Sequence, residues 1–432
     1  MTLQVVIHIS STAVCTAVGQ FETKGSDKLL KITAVGLAHT DAFFGGRVIN
    51  REYLLSAIHK SVREASNMAG LQIISAALCI SSPSMQSRNM FKQVAINSPD
   101  CTIAQDHIQQ AIDAMIGEVA RDERTIFQLN RQLVFLDDYH VQDALGLSAK
   151  KIGVASHAID MPTHQLEQII GMIEQDDLHV ETHIFDGIAG AEYALTLEEK
   201  QKGVCFIDIG ASTTKVCIYK DGVLIDTHCI EMGGVMVDMD IAKECGIALS
   251  DAESFKRQEG TLNRNKHSPA AVVTYKKHSK QEKTMLRREL NQVIEARYRK
   301  LLDEVMACID PNLLVSLDAG VVLAGGGALM DGLLTFACNH IGIKARMIHS
   351  NPLLRANVDH LADDDIRVLN EHIANNTLHT AIGALLYMGS EQFARDQQTQ
   401  EVDAQADSWL AEQIGAVSSM FGRFVAWVKR VL

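Results

Sequence analysis

The chain opens with short apolar runs. LQVVIHIS and AVCTAVGQF, parted by a Ser/Thr turn, and LLKITAVGLA after them predict three strands. In NREYLLSAIHKSVREASNMAG the residues Leu54, Ile58, Val62 and Met68 fall near helical spacing, and Gly70 ends the run. IISAALCIS then predicts a buried strand. From about Met85 to Ser156 the elements become smaller and more polar, with one clear helix in AQDHIQQAIDAMIGEVA, so this stretch is expected to be an inserted subdomain. PTHQLEQIIGMIEQDD returns to helical spacing, LHVETHIF predicts a strand, and GIAGAEYALTLEEKQK predicts a helix leading into a second half. That half opens GVCFIDIGASTTKVCIYKDGVLIDTHCIEM, again three strands, the last two joined by a Lys-Asp-Gly turn.

The two openings share a plan: an apolar strand, a turn of small residues, and a strand containing Val-Cys. Aligned on that pattern, His8 corresponds to Asp208, Ile9 to Ile209, and Val14-Cys15 to Val216-Cys217 with two residues fewer in the first copy. A repeat at such separation predicts a duplicated domain with a cleft between the copies, not a solenoid.

Composition narrows the classes. The 432 residues exceed one simple core. A formal charge of −13 lacks the basic footprint of a nucleic-acid-binding protein. Nine dispersed cysteines without C-x-x-C or zinc spacing read as reduced thiols in a cytoplasmic protein. The N-terminus has no signal-peptide pattern, and no apolar run is long enough to span a bilayer.

Three short segments carry candidate chemistry. In DIGASTT, Gly210, Ala211, Ser212, Thr213 and Thr214 lie between two strands. Their backbone N–H groups and hydroxyls suit either an anion cradle or an ordinary tight hairpin. Asp208, just before the turn, is placed to organise a hydrated Mg²⁺. In VVLAGGGALMDGL a buried strand from Val321 to Ala324 runs into Gly325, Gly326, Gly327 and Ala328 and then a helix, a way of laying backbone against a nucleotide, weak as a lone motif. In SDAESFKRQEG, Glu253 and Lys256 are three apart on a predicted helix, where they either bracket a ribose and adenine or form a solvated ion pair. His179, Glu181 and His183 alternate in HVETH, as a metal site or the polar face of a half-buried strand would require. No G-x-S-x-G or H-E-x-x-H motif occurs.

Together these segments resemble the actin-like ATPase superfamily. Within it the chain resembles the FtsA family of bacterial cell-division proteins, on FIDIGASTTKVCIY, GGVMVDMDIAKECGIALSDAESFK, LNQVIEARYRKLL and VVLAGGGALMDGL. The resemblance is specific in the second half and loose in the first. It implies an α/β fold of duplicated, ribonuclease-H-like domains around a nucleotide cleft. The first would take residues 1–84 and 157–198, with an insertion at 85–156 for polymer and partner contacts. The second would take 199–389, with a small subdomain at about 231–308.

The resemblance further implies ATP and Mg²⁺ as cofactors. Ser10, Ser11, Gly210, Ala211, Ser212, Thr213, Gly234, Glu253, Lys256 and Gly325 to Ala328 would line the nucleotide site, with Asp208 reaching the metal through water. It implies self-association into polymers, tethering of the tubulin-like protein FtsZ, recruitment of later division proteins, and no role for nucleic acid. Arg297, in EARY, matches the family's surface for the FtsZ C-terminal tail; otherwise it is a helix-surface arginine without a partner.

The chain also departs from the family. The first phosphate loop of relatives usually reads acidic residue, Ile, Gly, Thr, a variable residue, Lys. Here it is His8, Ile9, Ser10, Ser11, Thr12, Ala13, and in the second loop Lys215 stands where relatives commonly carry aspartate. Lys215 can supply positive charge but cannot position a metal-bound water. The helix after IFDGIAG offers no obvious general base, with Glu192 a weak candidate. ATP binding with very slow or undetectable hydrolysis is therefore expected. A pilus-assembly platform resembling PilM and a small-molecule kinase of the same superfamily are the rival readings.

The C-terminus has its own pattern. Residues 390–408 are polar and aperiodic, a flexible linker with a reach of roughly 25 Å. In 409–432, Leu410, Ile414, Val417, Phe421, Phe424 and Val428 recur at steps of three and four, flanked by Arg423, Trp427, Lys429 and Arg430. Such an amphipathic helix either docks on the protein's own body or lies on anionic membrane lipid. The resemblance implies the second, on the cytoplasmic face of the inner membrane at the division site.

Overall fold

The computed structural model describes residues 3–396, apart from 25–26, 98–99, 121, 138, 142, 177, 269, 277–281, 350–353, 357–366, 368 and 372–377. The chain divides into two units. The larger comprises Met1–Asn89, Val119–Gln128 and His157–Gly389; the smaller comprises Met90–Glu118, Leu129–Ser156 and the described residues from Ser390 on.

Two sheets dominate the larger unit. In one, the order is His179–Phe185, Ser75–Ile80, Gln4–Ile9, Ala13–Lys24, Asp27–His39, with Leu354–Ala356 added at the far edge. In the other it is Ala345–Met347, Gly320–Ala324, Val204–Ile209, Thr214–Lys220, Val223–Ile230. Each sheet has an antiparallel three-strand meander whose first strand pairs in parallel with the next strand along. The predicted duplication is thus present as one strand order used twice.

Register corrects the sequence alignment of the copies. Ile9 pairs with Val14 and His8 with Cys15; Ile209 pairs with Thr214 and Asp208 with Lys215. The turns Ser10–Ala13 and Gly210–Thr213 have the same length, so Cys15 is the counterpart of Lys215 and no gap is needed. The repeated Val-Cys pair misled because it suggested homology through composition, whereas the hydrogen-bonded ladder fixes equivalence.

The sequence explains most elements locally. The helix Arg51–Ala69 starts where the Asn50 side chain accepts from Tyr53 N–H, and stops at Gly70 with φ of 66°. The Asp221-Gly222 pair, at φ of 53° and 80°, closes the hairpin between Lys220 and Val223. The helix expected over GIAGAEYALTLEEKQK is two, Asp186–Ala194 and Leu197–Lys202, because Thr196 and Glu199 form a capping box that starts a second. Val204–Ile209 is buried along its whole length, covered on both faces like a parallel-sheet strand. Its Ile207 and Ile209 share a core with Val237, Ile241, Ile294 and Leu301 from the helices Val235–Cys245 and Arg287–Ala307. Each such side chain contributes about 1.5–3 kcal/mol by burial.

The linker expectation needs correction at its start. Residues 391–396 are helical, and Asp396, buried, accepts hydrogen bonds from Asn130 Nδ2 and Arg131 N–H, both at 2.9 Å. Gln392 donates to the Arg131 carbonyl at 3.0 Å. The polar composition that suggested a linker is here the polar capping of a strand, Arg124–Leu136. Residues 397–432, with the rest of the expected linker and the amphipathic helix, lie outside the described residues.

Candidate functional site

The two turns meet over one cavity of about 780 Å³, within the range of small-molecule sites. Each turn is closed alike, by Ser10 N–H to the Ala13 carbonyl (3.0 Å) and Gly210 N–H to the Thr213 carbonyl (2.9 Å). The Ser11 and Ser212 hydroxyls hydrogen-bond to each other across the cleft, and Gly45 N–H donates to Ser212 Oγ at 3.0 Å. Of the residues expected here, Ser10, Ser11, Gly210, Ala211, Thr213, Gly234, Glu253, Lys256, Gly325, Gly326 and Gly327 line the cavity. Ser212 and Ala328 are buried beside it without lining it.

The floor holds a charged cluster. Lys215 Nζ lies 3.1 Å from Asp208 Oδ2 and 3.7 Å from Asp186 Oδ2, and all three side chains are buried. His379 Nε2 is 3.7 Å from Asp208 Oδ2, and His8 Nε2 is 3.9 Å from Asp186 Oδ2. Burial alone would raise the Asp208 carboxyl, but Lys215 and His379 outweigh it and hold the group well below the usual carboxylate range. Burial alone would lower Lys215, but Asp186 and Asp208 outweigh it and raise the ammonium above its ordinary value. Ser81 Oγ donates to Asp186 Oδ2 at 2.9 Å, while Asp186 Oδ1 and His8 Nε2 are buried without hydrogen-bond partners among the described residues.

The expected Mg²⁺ does not fit this floor. A hydrated Mg²⁺ needs oxygen ligands around an octahedron. Here Asp208 Oδ2 is taken by Lys215, and Oδ1 is packed against the glycine turn, where a Cβ on Gly325 would come within 2.2 Å of it. The sequence reading of Asp208 missed that its ladder partner is a lysine whose charge reaches it directly.

The opposite wall is built by the second half. Gly325, at φ of 87°, turns the chain from Gly320–Ala324 into a short 3-10 segment, Gly326–Leu329; the helix expected at once begins only at Leu333. Tyr298, buried, donates from its hydroxyl to the Gly327 carbonyl at 2.6 Å and braces the turn. Burial, reinforced by Asp238, pushes its hydroxyl pKa up. Glu253 and Lys256 do not pair with one another: Glu253 binds Arg257 at 2.6 Å, and Lys256 binds Asp238 at 2.8 Å and the Gly234 carbonyl at 3.2 Å. The i,i+4 geometry favours Arg257 for Glu253, and the neighbouring helix supplies a buried carboxylate for Lys256.

Sequence reasoning missed Asp186, Asp238, Tyr298 and His379. Asp186 lies within IFDGIAG and opens the helix Asp186–Ala194; Glu192, the weak candidate base, instead binds Lys200 at 2.5 Å and does not line the cavity. Its signal was the acid at the first helical position, which faces the strand ends. The HVETH face carries no metal cluster: among the described residues no group of three His, Cys, Asp or Glu is placed to hold one. His179 pairs with Glu174 at 2.9 Å, a register shift between Val180 and Thr182 breaks the alternation, and His183 stacks on Phe127.

Arg297 has a partner. Its Nε and Nη2 donate to both oxygens of Asp240 at 2.6 and 2.8 Å, joining Arg287–Ala307 to Val235–Cys245. The bidentate pair fixes the guanidinium plane.

Comparison with known proteins reads the same regions. The family model "Cell division protein FtsA" matches residues 205–383, spanning Asp208, the glycine turn and Arg297. Cell division protein FtsA of Buchnera aphidicola subsp. Schizaphis graminum and that of Escherichia coli K12 are each 27% identical over 420 residues, 94% of this chain and 96% of theirs. The chain is similar to cell division protein FtsA along most of its length. FtsA of Pseudomonas aeruginosa is 26% identical over 386 residues, 88% of each chain. The fold is shared with a solved structure titled PilM-PilN type IV pilus biogenesis complex, which superposes with a TM-score of 0.60 at 14% identity, covering 88% of this chain and 96% of that one. No helix among the described residues is long and apolar enough to cross a membrane.

Proposed function

We propose that this protein is an FtsA-like cell-division protein that binds ATP in the cleft, self-associates on the inner face of the bacterial membrane, and tethers FtsZ polymers there while later division proteins gather. The observation that carries the reading is the pair of equal-length turns, on equivalent strands of two like-ordered sheets, facing one cavity with a glycine turn on its other wall. Phosphates lie against the N–H groups of Ser10–Ala13 and Gly210–Thr213, and the nucleoside lies by Lys256, Glu253 and Gly325–Gly327. The small subdomain at about 231–308 receives the FtsZ tail, the insertion at 85–156 serves polymer contacts, and the terminal helix anchors the chain to anionic lipid.

ATP is a structural ligand in this reading. The acidic residue and lysine usual in FtsA relatives are missing from the first turn, and Asp208 and Asp186 both face the Lys215 ammonium in place of a metal ion. Calorimetric titration with ATP tests the site. Micromolar binding with phosphate release far below about 1 per second, the low edge of ordinary turnover, is expected; no binding, or turnover at that rate or faster, overturns it.

A further inference from the structure

We propose that Lys215 is a built-in cation which stands in for the divalent metal ion at the phosphate end of the cleft, so that a nucleoside triphosphate binds here without Mg²⁺. This rests on the nucleotide reading above. In the larger unit, Lys215 Nζ lies beneath the second turn, where a Cβ on Gly210 would be 3.1 Å from it. It bridges the acids that end one strand and begin one helix, at 3.1 Å from Asp208 and 3.7 Å from Asp186. A metal entering that point would meet a fixed positive charge, with Asp208 Oδ2 held by Lys215 and Oδ1 packed against Gly325. The remaining acids of the cavity are committed elsewhere: Asp238 to Lys256, Glu253 to Arg257, and Asp331 to Lys266.

The first turn is consistent with the same device. Next to its end the first strand carries His8 where the second carries Asp208, so the first turn brings no carboxylate to share a metal. His8, whose Nε2 is buried and without a hydrogen-bond partner among the described residues, lines the cavity and donates to a phosphate oxygen when Nε2 carries the ring proton. Lysine suits the role because its ammonium is a compact point charge with three rotatable donors.

Titration of the full chain with ATP, by calorimetry in Mg²⁺ and again in excess EDTA, tests the proposal. Dissociation constants within about threefold of each other are expected. Binding in Mg²⁺ that weakens tenfold or more in EDTA overturns the built-in cation and leaves the nucleotide reading standing; absence of binding in both overturns both. Lys215→Gln provides a second measurement, with thermal melting to confirm the fold. In EDTA it should bind ATP at least tenfold more weakly than the parent, and equal affinity there would contradict the role. Because the comparison of the unaltered chain in the two buffers needs no variant, misfolding of Lys215→Gln leaves the decision with it.

Discussion

Lys215 and Asp208 face each other across adjacent strands, directly paired in the ladder, with Nζ 3.1 Å from Oδ2 in a buried setting. The counterpart pair in the other sheet is Cys15 opposite His8. Duplication thus supplied two equivalent positions, and only one carries an ion pair. Removing the ammonium leaves two buried carboxylates unbalanced, so Lys215→Met is expected to lower unfolding free energy by about 3 kcal/mol at neutral pH.

The pH dependence of that loss follows from the shifts. Asp208 is held below its unfolded value, so its contribution is present above about pH 4 and fades as pH falls through the depressed folded value. Lys215 is raised, so its contribution is complete below about pH 10 and lost only in stronger alkali. Urea unfolding of parent and variant should give a constant difference from about pH 6 to 9 that shrinks in acid below about pH 5. A difference that grows in acid would contradict the assignment.

Adjacent glycines should behave differently. At Gly325 the φ of 87° and an Asp208 oxygen 2.2 Å from any added Cβ make Gly325→Ala costly, by at least about 2 kcal/mol. At Gly326 an added Cβ meets nothing within 4 Å, so Gly326→Ala should stay within about 1 kcal/mol of the parent. Thermal or chemical denaturation of both variants decides it.

The fold was legible wherever periodicity sufficed: the two meanders, the helix at Arg51–Ala69 and the Asp-Gly hairpin all follow from local pattern. What stayed hidden depended on partners distant in sequence. Lys215 reads as one residue of a strand until its opposite is known to be Asp208, and Arg297 reads as a surface side chain until Asp240 is found 57 residues away. Asp396 looked like linker because its contacts are backbone and amide groups some 265 residues earlier. Asp186 shows no sign in the sequence that its helix start faces the strand ends, since Lys215 and His8 lie far from it along the chain.

Arg297 offers its guanidinium edge from a site already held flat by Asp240. Arg297→Glu should weaken an acidic FtsZ-tail peptide about tenfold, roughly 1.5 kcal/mol, the low end for a charged hydrogen bond. Asp240→Asn, which loosens the clamp without removing the cation, should cost less. Fluorescence anisotropy with a labelled tail peptide measures both, and circular dichroism checks the fold; equal affinity for Arg297→Glu would remove the residue from the site.

The terminal segment is tested by deletion. A chain ending at Ser408 should melt like the parent and lose co-sedimentation with anionic vesicles. Phe424→Glu with Val428→Glu should act the same way by putting charge into the apolar stripe.

The most direct test of the tether is flotation of vesicles with FtsZ polymers, ATP and this protein together. The account predicts that FtsZ rises with anionic vesicles only when the full chain is present, and stays behind with the chain ending at Ser408. If the full chain floats while polymerised FtsZ remains at the bottom of the gradient, the protein is not an FtsZ tether.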